Sequence, residues 1–168
     1  YGISLQFPDR TPDLIMKVSQ LMRYQLESNG KQCVSLEDEL EFINSYVQLE
    51  KERVGYRCDI TFDYKVDNQN AYKISPMLLI AFIENAFKYG LKSTQNAFVK
   101  LDIKIENNTF WLSLENDVDE SFTTENFGGI GVENARKRLE LLYPDQYKLE
   151  ITRLENSFKV DLKIVLRK

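Results

Sequence analysis

The sequence predicts an α+β fold in which helices cover one face of a mostly antiparallel sheet. Apolar residues recur at helical spacing through residues 1–56, and alternate at strand spacing in several segments after Tyr56. Helical spacing returns at residues 75–90 and 130–143. We therefore divide the chain into a helical hairpin at residues 1–56 and a mixed domain at residues 57–168.

The hairpin is predicted from helix start and stop signals. Thr11 suits the N-cap of a first helix, and Asn29-Gly30 suits its end. Ser35 suits the N-cap of a second helix, with Asp38 completing a variant of the capping box. Both helices carry wide apolar stripes, formed by Leu14, Ile15, Val18, Leu21, Met22 and Leu26 in the first and by Leu36, Leu40, Ile43 and Val47 in the second.

These stripes need a covering partner, because two helices alone cannot bury two wide apolar faces. The partner is either a second copy of the chain or the remainder of the same chain. We favour the second copy, so the hairpin is expected to form a homodimer.

The mixed domain is predicted from alternating segments and turn residues. A helix is expected from Ser75-Pro76 to Gly90, and another from about residue 130 to Tyr143-Pro144. Arg136, Lys137 and Arg138 are expected to form a solvated basic face of the second of these helices. The polar stretch Asn116–Gly129 is long for a connection and is a candidate lid or binding loop. Trp111 is expected in the core. Strands are expected at residues 58–66, 98–106, 110–115, 148–154 and 157–165, with a turn at Asn107-Asn108.

The composition excludes several classes of function. The net charge of −4 is small and has the wrong sign for nucleic-acid binding. There is no histidine, which excludes histidine-based catalysis and histidine metal ligands within this chain. Cys33 and Cys58 favour a free-thiol cytoplasmic protein. The apolar run Met77–Ile83 is too short to span a bilayer, and the start at Tyr1 without methionine suggests a fragment whose membrane segments would lie upstream.

Residues 84–90, Glu-Asn-Ala-Phe-Lys-Tyr-Gly, place an acid, an amide and a base on one sector of a predicted helix. At ~100° per residue, Asn85 lies ~100° and Lys88 ~40° around the axis from Glu84. An amide oxygen suits Mg²⁺, a carboxylate can accept a proton, and an ammonium group can offset phosphate charge. The alternative is an ordinary i,i+4 surface pair of Glu84 and Lys88 beside a solvated Asn85.

A glycine-rich turn, Gly128-Gly129-Ile130-Gly131, opens the next predicted helix. Glycines let backbone N–H groups approach an anion closely, and the helix adds its positive N-terminal end. The turn alone is also compatible with a flexible loop. Because it follows a polar stretch and a helix with an acid, an amide and a base, it favours a phosphate site.

Residues 74–90 resemble the N box, and residues 128–143 resemble the glycine-rich box, of the GHKL ATPase superfamily. More narrowly, the chain resembles the C-terminal part of the LytS/YehU-type sensor histidine kinases over most of its length. The resemblance rests on Ser19–Leu26, Val34–Arg53, Ile74–Lys88 and Gly129–Leu139, followed by Leu142-Tyr143-Pro144.

This resemblance implies a Bergerat-type ATP-binding α/β sandwich preceded by a helical hairpin, with ATP and Mg²⁺ bound. It implies an enzyme, a protein histidine kinase, whose phosphate passes to an aspartate of a LytTR-type response regulator. It also implies a homodimer through the N-terminal helices and a cytoplasmic domain of an inner-membrane protein. By position, Glu84 would be the catalytic base, Asn85 would hold Mg²⁺, Lys88 would lie near phosphate, Gly129 and Gly131 would line the phosphates, and Asn116 would read the adenine amino group.

The chain departs from the family's pattern in two important places. It lacks the phosphoacceptor histidine, so it cannot phosphorylate itself and is expected to be inactive alone. Asn116-Asp117-Val118 lacks the Asp-x-Gly pattern of the adenine site, where Asp117 or Asp119 would be the substitutes. These departures leave an alternative function, a dimerisation and regulator-docking module with a degenerate nucleotide pocket. A third possible function is that of another GHKL ATPase, such as an anti-sigma serine kinase, although the helical hairpin argues against it.

Overall fold

A computed structural model describes residues 11–65, 71–91, 97–118 and 130–166 of the chain. A single 3-10 turn at Gly55–Arg57 follows the second helix. In chain order the described elements are α1 (Thr11–Ser28), β1 (Val34–Ser35), α2 (Leu36–Val54), β2 (Asp59–Lys65), β3 (Lys73–Ile74), α3 (Ile80–Gly90), β4 (Phe98–Glu106), β5 (Thr109–Asp117), α4 (Ile130–Leu142), β6 (Tyr147–Arg153) and β7 (Ser157–Val165).

The main sheet has five strands in the order β2-β4-β5-β7-β6. β2 pairs with β4 in parallel, and the other three pairings are antiparallel. β1 and β3 form a separate antiparallel ribbon. Helix α3 lies against β4 and β5, and α4 packs beside α3. The predicted α+β class and the predicted strands are therefore confirmed.

The predicted cap of α2, the predicted glycine after α1 and the predicted turn between β4 and β5 are found where local chemistry requires them. Ser35 caps α2, and its hydroxyl accepts the Asp38 N–H at 3.0 Å. Gly30 follows α1 with a φ of 79°, a left-handed value that favours glycine. Asn107 and Asn108 join β4 to β5 with φ values of 50° and 61°, as a tight hairpin turn requires.

The predicted start of α3 at Ser75-Pro76 is wrong, because the helix begins at Ile80. Met77 has a φ of 57°, and a residue in the left-handed region interrupts a right-handed helix. The backbone N–H of Ser75 is instead donated to the Tyr143 hydroxyl at 2.8 Å. The segment before α3 is therefore held by contacts from other elements rather than by helical hydrogen bonds.

The two apolar stripes of the hairpin have different partners in the structure. The stripe of α2 is covered by the same chain, because Leu36, Leu40, Ile43 and Val47 belong to one continuous core with the sheet. The stripe of α1 stays largely exposed, at Ile15, Met16, Val18, Met22 and Leu26. The alternative of a covering partner within the chain thus holds for α2 alone. The boundary at residues 56 and 57 stays a prediction.

Trp111 does not lie in the core as predicted. The side chains of Phe110, Leu112 and Leu114 are buried beneath the helices, so strand alternation places Trp111 on the opposite face. There its ring lies among lysine side chains, with Lys163 Nζ 3.9 Å from the ring centroid. We call this helix-free side of the five-stranded sheet the outer face.

Candidate functional site

Helix α3 carries most of the predicted site, and its burial sets the direction of each side chain. Leu79, Phe82, Ile83 and Ala86 are fully buried on the side of α3 that faces the core. Glu84 and Lys88 are exposed, and Asn85 is 8% exposed. The amide therefore lies at the edge of the core, whereas the two charged side chains lie on the surface.

Asn85 is held by its own helix. Its Nδ2 atom donates to the Ala81 carbonyl oxygen at 2.9 Å, which leaves Oδ1 as the acceptor of this side chain. Ala81 lies one turn before Asn85 on the same face of α3. The small Ala81 side chain is only half-buried, so it leaves room beside the amide.

Gly131, the described glycine of the glycine-rich turn, lies against this face of α3. A Cβ atom placed on Gly131, at the head of α4, would lie 3.7 Å from the Ala81 Cβ. The two motifs, far apart in the sequence, thus meet in space one helical turn from Asn85. Gly128 and Gly129 lie outside the described residues.

Glu84 and Lys88 line a different surface, toward α2. Together with Tyr46, Arg53 and Leu91 they border an open cavity of about 320 Å³. Burial, and then the nearby Glu50 carboxylate, raise the pKa of Glu84 above its ordinary value. No ion pair joins these two described residues to each other, although they are four positions apart. The acid and the amide, neighbours in sequence, therefore point to different sides of α3.

Asn116 lies next to the end of β5, on the helix-facing side of the sheet. It is 1% exposed, and its Nδ2 atom donates to the Asp117 carbonyl oxygen at 2.9 Å. A Cβ atom on Gly90 would lie 3.1 Å from the Asn116 Cβ, so a side chain at position 90 would force the end of α3 away from β5. Asn116 therefore lies beneath the end of α3, five residues or ~7.5 Å along the helix from Asn85.

Asp117 cannot replace Asn116 from where it lies. Strand alternation puts its side chain on the outer face, where its charge contributes to raising the pKa of Cys58 to about 11, after burial and Asp59. Its Oδ2 atom is buried and has no hydrogen-bond partner within the described part of the chain. Asp119, the other predicted substitute, falls outside the described residues.

A buried polar cluster beside α3 was missed from the sequence. Glu39 is fully buried on α2, and its carboxylate accepts hydrogen bonds from the Tyr24 hydroxyl and, at 3.1 Å, from the Met77 N–H. Arg138 was expected on a solvated basic face with Arg136 and Lys137. Its guanidinium instead donates to the Ser75 hydroxyl and, at 2.7 Å, to the Pro76 carbonyl oxygen. The sequence did contain one signal for this cluster, because Glu39 is a charged residue inside the apolar stripe of α2.

Comparisons with known proteins identify sequences and folds that resemble this chain. A histidine kinase family model matches residues 2–58. The sensor protein LytS of Staphylococcus saprophyticus is 26% identical over 157 residues, which is 85% of this chain and 26% of LytS. The histidine kinase domain of the blue-light activated kinase EL346 from Erythrobacter litoralis matches with a TM-score of 0.60 and 15% identity, over 91% of this chain and 73% of that domain.

The chain is similar to the C-terminal part of the LytS-type sensor histidine kinases. The predicted architecture, a helical hairpin followed by the sheet domain found in histidine kinases, is thereby confirmed. A further solved structure, of the histidine kinase ThkA in complex with the response regulator TrrA, matches with a TM-score of 0.54 and 14% identity, over 94% of this chain and 49% of that chain. The chain spans about a quarter of the length of the LytS protein that it matches. Among its described residues, no helix is long and apolar enough to cross a membrane.

Proposed function

We propose that this LytS-type chain is the ATP-binding kinase part of a two-component sensor. It would transfer the terminal phosphoryl group of ATP to a histidine, from which the phosphate passes to an aspartate of a response regulator. The contact between Gly131 and Ala81, one turn from Asn85, carries the proposal. It joins an amide ligand to the backbone N–H groups and positive end of a helix, the parts needed to hold a metal-bound triphosphate.

The available ligands fit Mg²⁺ held mainly through the nucleotide. Among the described residues no cluster of three metal-binding side chains exists. Mg²⁺ commonly takes one or two protein oxygens and fills its other positions with phosphate oxygens and water. Asn85 Oδ1 would supply the protein oxygen. Gly129 and Gly131 would line the phosphates, and Lys88 would offset their charge.

Two further roles complete the proposed site. Glu84 is the proposed base, because its raised pKa brings it closer to neutrality, where a base accepts protons best. Asn116 is the proposed reader of adenine. Since its Nδ2 atom is already bonded to Asp117, its Oδ1 atom is available to accept a hydrogen bond from the adenine amino group.

The proposal includes partners beyond this chain. The phosphoacceptor must lie outside these 168 residues, because they contain no histidine. The exposed apolar stripe of α1 supports a homodimer through the N-terminal helices. By analogy with ThkA and TrrA, the receiving protein would be a response regulator, which we propose is of the LytTR type. We place the chain on the cytoplasmic side of an inner-membrane sensor, as its sensor relatives suggest.

Binding of a fluorescent ATP analogue, with and without Mg²⁺, tests the site. The Asn85→Ala variant should bind about tenfold or more weakly in Mg²⁺ and lose most of the Mg²⁺-dependent part of binding. Asn44→Ala, an asparagine of α2 away from the site, is the matched control and should bind like the wild type. Equal Mg²⁺ dependence in the wild type and Asn85→Ala would remove Asn85 from the metal site.

One observation favours the alternative function of a docking module with a degenerate pocket. The adenine position holds a neutral Asn116 whose amide nitrogen is engaged within the protein, so fewer groups remain to read the base. The same titration separates the two functions. A folded wild type that binds no nucleotide at all would favour the docking module.

A further inference from the structure

The outer face of the sheet carries two rows of charge that cross all five strands. One row is basic and has a tryptophan at its centre; it contains Lys65, Lys104, Trp111, Lys163 and Lys148. The adjacent row is acidic and has a serine at its centre; it contains Asp63, Asp102, Ser113, Asp161 and Glu150. Each row follows the strand register, so its members are direct cross-strand neighbours.

This arrangement is unfavourable for an isolated sheet. It puts like charges directly opposite each other in four places, and such pairs are destabilising. Alternating signs across the strands would have made each of these neighbours attractive. Ion pairs along single strands offset part of the cost, for example Lys148 to Glu150 at 2.7 Å and Lys159 to Asp161 at 3.0 Å. Monomer stability alone therefore does not account for the rows.

The centre of the outer face contains an open cavity in addition to the two rows of charge. An open cavity of about 620 Å³ lies over the rows, and Trp111 borders it. The ring lies between two ammonium groups, with Lys104 Nζ 5.2 Å and Lys163 Nζ 3.9 Å from its centroid. Among the described residues, the indole Nε1 atom has no hydrogen-bond partner. The bulky Trp111 thus stands beside the small Ser113, two positions along the same strand.

We propose that the outer face docks on the outer face of a second copy of the chain. A two-fold axis parallel to the rows and midway between them would bring each row of one copy onto the opposite row of its partner. Every lysine of the basic row in one copy would then face the acidic residue of the same strand in the other copy. Lys104 would face Asp102, and Lys148 would face Glu150. At the centre, Trp111 would meet Ser113, large against small. The face is therefore complementary to itself, which an isologous interface requires.

The contact would be weak and governed by charge. Five strands at ~4.8 Å spacing give a face only ~19 Å wide. The surface area that it could bury is therefore smaller than the area buried in stable interfaces. Its ion pairs would be open to solvent and screened by salt. It uses neither the exposed stripe of α1 nor the nucleotide site, so it stands independently of the proposed function.

The sole tryptophan of the sequence lies in this face, so its fluorescence reports on the contact. We expect wild-type protein at low ionic strength to self-associate with rising concentration in sedimentation experiments. Acrylamide should quench Trp111 less as association proceeds, and high salt should reverse both effects. Association that leaves Trp111 quenching unchanged would proceed through another surface and would overturn the proposal, as would no association.

Charge reversal provides the sharper test. Lys104→Glu with Lys148→Glu makes the facing positions on β4 and β6 acidic in both rows, and Asp102→Lys with Glu150→Lys makes them basic in both rows. Each double variant alone should lose the salt-sensitive association, and an equimolar mixture should recover it by forming pairs of unlike copies. A mixture that does not associate, or a single double variant that associates like the wild type, would contradict the two-fold arrangement.

Two controls keep the result interpretable. Lys31→Glu with Lys73→Glu changes the net charge equally at exposed positions away from the outer face, and should associate like the wild type. If a reversed variant unfolds, Lys104→Gln with Lys148→Gln removes the charge without inverting it. That variant should weaken the association several-fold, and undiminished association would count against the proposal.

Discussion

At the scale of single residues, Glu39 joins three parts of the chain. It is buried on α2, accepts the Tyr24 hydroxyl of α1, and accepts the Met77 N–H just before α3. Its Oε1 atom has no hydrogen-bond partner in the ranges that the structure describes. A buried polar group of this kind is costly to leave unpaired, so each remaining bond to it matters for stability.

Tyr24→Phe tests the link between α1 and α2. The ring should keep its stacking on Phe42, whose centroid lies 4.6 Å away, while the hydrogen bond to Glu39 is lost. We expect a loss of about 1 to 3 kcal/mol in the free energy of unfolding, measured by urea denaturation. Tyr56→Phe, at a fully exposed tyrosine, should change it by no more than about 0.5 kcal/mol. Equal effects of the two changes would show that the hydrogen bond contributes nothing.

Glu39 also predicts a dependence of stability on pH. Burial raises its pKa in the folded state above the ordinary value of 4.5, although hydrogen bonds and Arg138 act in the opposite direction. The folded protein therefore holds this proton after the unfolded chain has lost it. The stability gained from the proton is complete below pH 4.5 and is lost as the pH rises through the folded-state pKa.

Glu39→Gln removes this titration while keeping an oxygen that can accept the Met77 N–H. The stability difference between wild type and variant should shift in favour of the variant as the pH rises from about 4.5 toward neutrality. Urea unfolding of both proteins at a series of pH values measures it. The half-buried Glu84 titrates in both proteins and cancels in the difference. Parallel curves would mean that Glu39 does not titrate in this range.

Asn116→Asp tests the proposed reader of adenine. A carboxylate makes a stronger hydrogen bond than an amide, so an adenine nucleotide should bind roughly 3- to 10-fold more tightly. The same change buries a charge and removes the hydrogen bond to the Asp117 carbonyl, so the melting temperature should fall. Titration with adenine and guanine analogues should show a gain for adenine alone. An unchanged affinity in a folded variant would place adenine elsewhere, and Asn44→Asp is the matched control.

At the scale of elements, α1 is the helix that the fold leaves without a partner. Ile15, Val18, Met22 and Leu26 follow one another at helical spacing, and they are 40 to 75% exposed. The sequence showed equal stripes on α1 and α2, and could not show which of them the chain covers. That choice depends on the position of β1 and β3, whose two-residue pairing leaves no periodic signal.

Met22→Lys tests the proposed dimer through α1. Burying a methionine contributes about 1.5 to 3 kcal/mol, so placing a charge there should raise the dimer dissociation constant about tenfold or more. Gln20→Lys introduces the same side chain on the opposite side of α1 and should leave the dimer intact. Sedimentation equilibrium at high salt, which suppresses contacts through the charged rows, measures both. An unaffected dimer would assign the interface to another surface.

Elements with a regular period could be predicted from the sequence, and contacts between distant elements could not. The strands of the sheet and the Ser35 cap follow from alternation and capping chemistry, and both are confirmed. The early start assigned to α3 failed because the left-handed Met77 is stabilised by Glu39, a residue of another helix. Arg138 was misassigned for the same reason, since its partners Ser75 and Pro76 lie more than sixty residues away. Trp111 was misplaced because aromatic character was given more weight than alternation.

At the scale of the whole molecule, α2 is part of the core of the sheet domain. Leu36, Leu40, Ile43 and Val47 are each no more than 2% exposed, and Tyr46 contacts Phe87 of α3 edge to face at 5.8 Å. Each buried aliphatic side chain contributes about 1.5 to 3 kcal/mol, so these four rival the 5 to 15 kcal/mol of a typical domain. The packing therefore groups α2 with the sheet, across the boundary predicted at residues 56 and 57.

Two truncated chains would decide where the domain begins. Residues 31–168 keep β1 and α2 and should unfold cooperatively, with Trp111 fluorescence and far-UV circular dichroism changing together. Residues 57–168 lack α2, which covers part of the core in the full chain. Apolar side chains of α3 that pack on α2 would then be exposed to solvent, so this shorter chain should show no cooperative transition. The full chain provides the reference midpoint. Cooperative unfolding of residues 57–168 near that midpoint would support the domain boundary predicted at residues 56 and 57. It would also show that the sheet domain folds without α2.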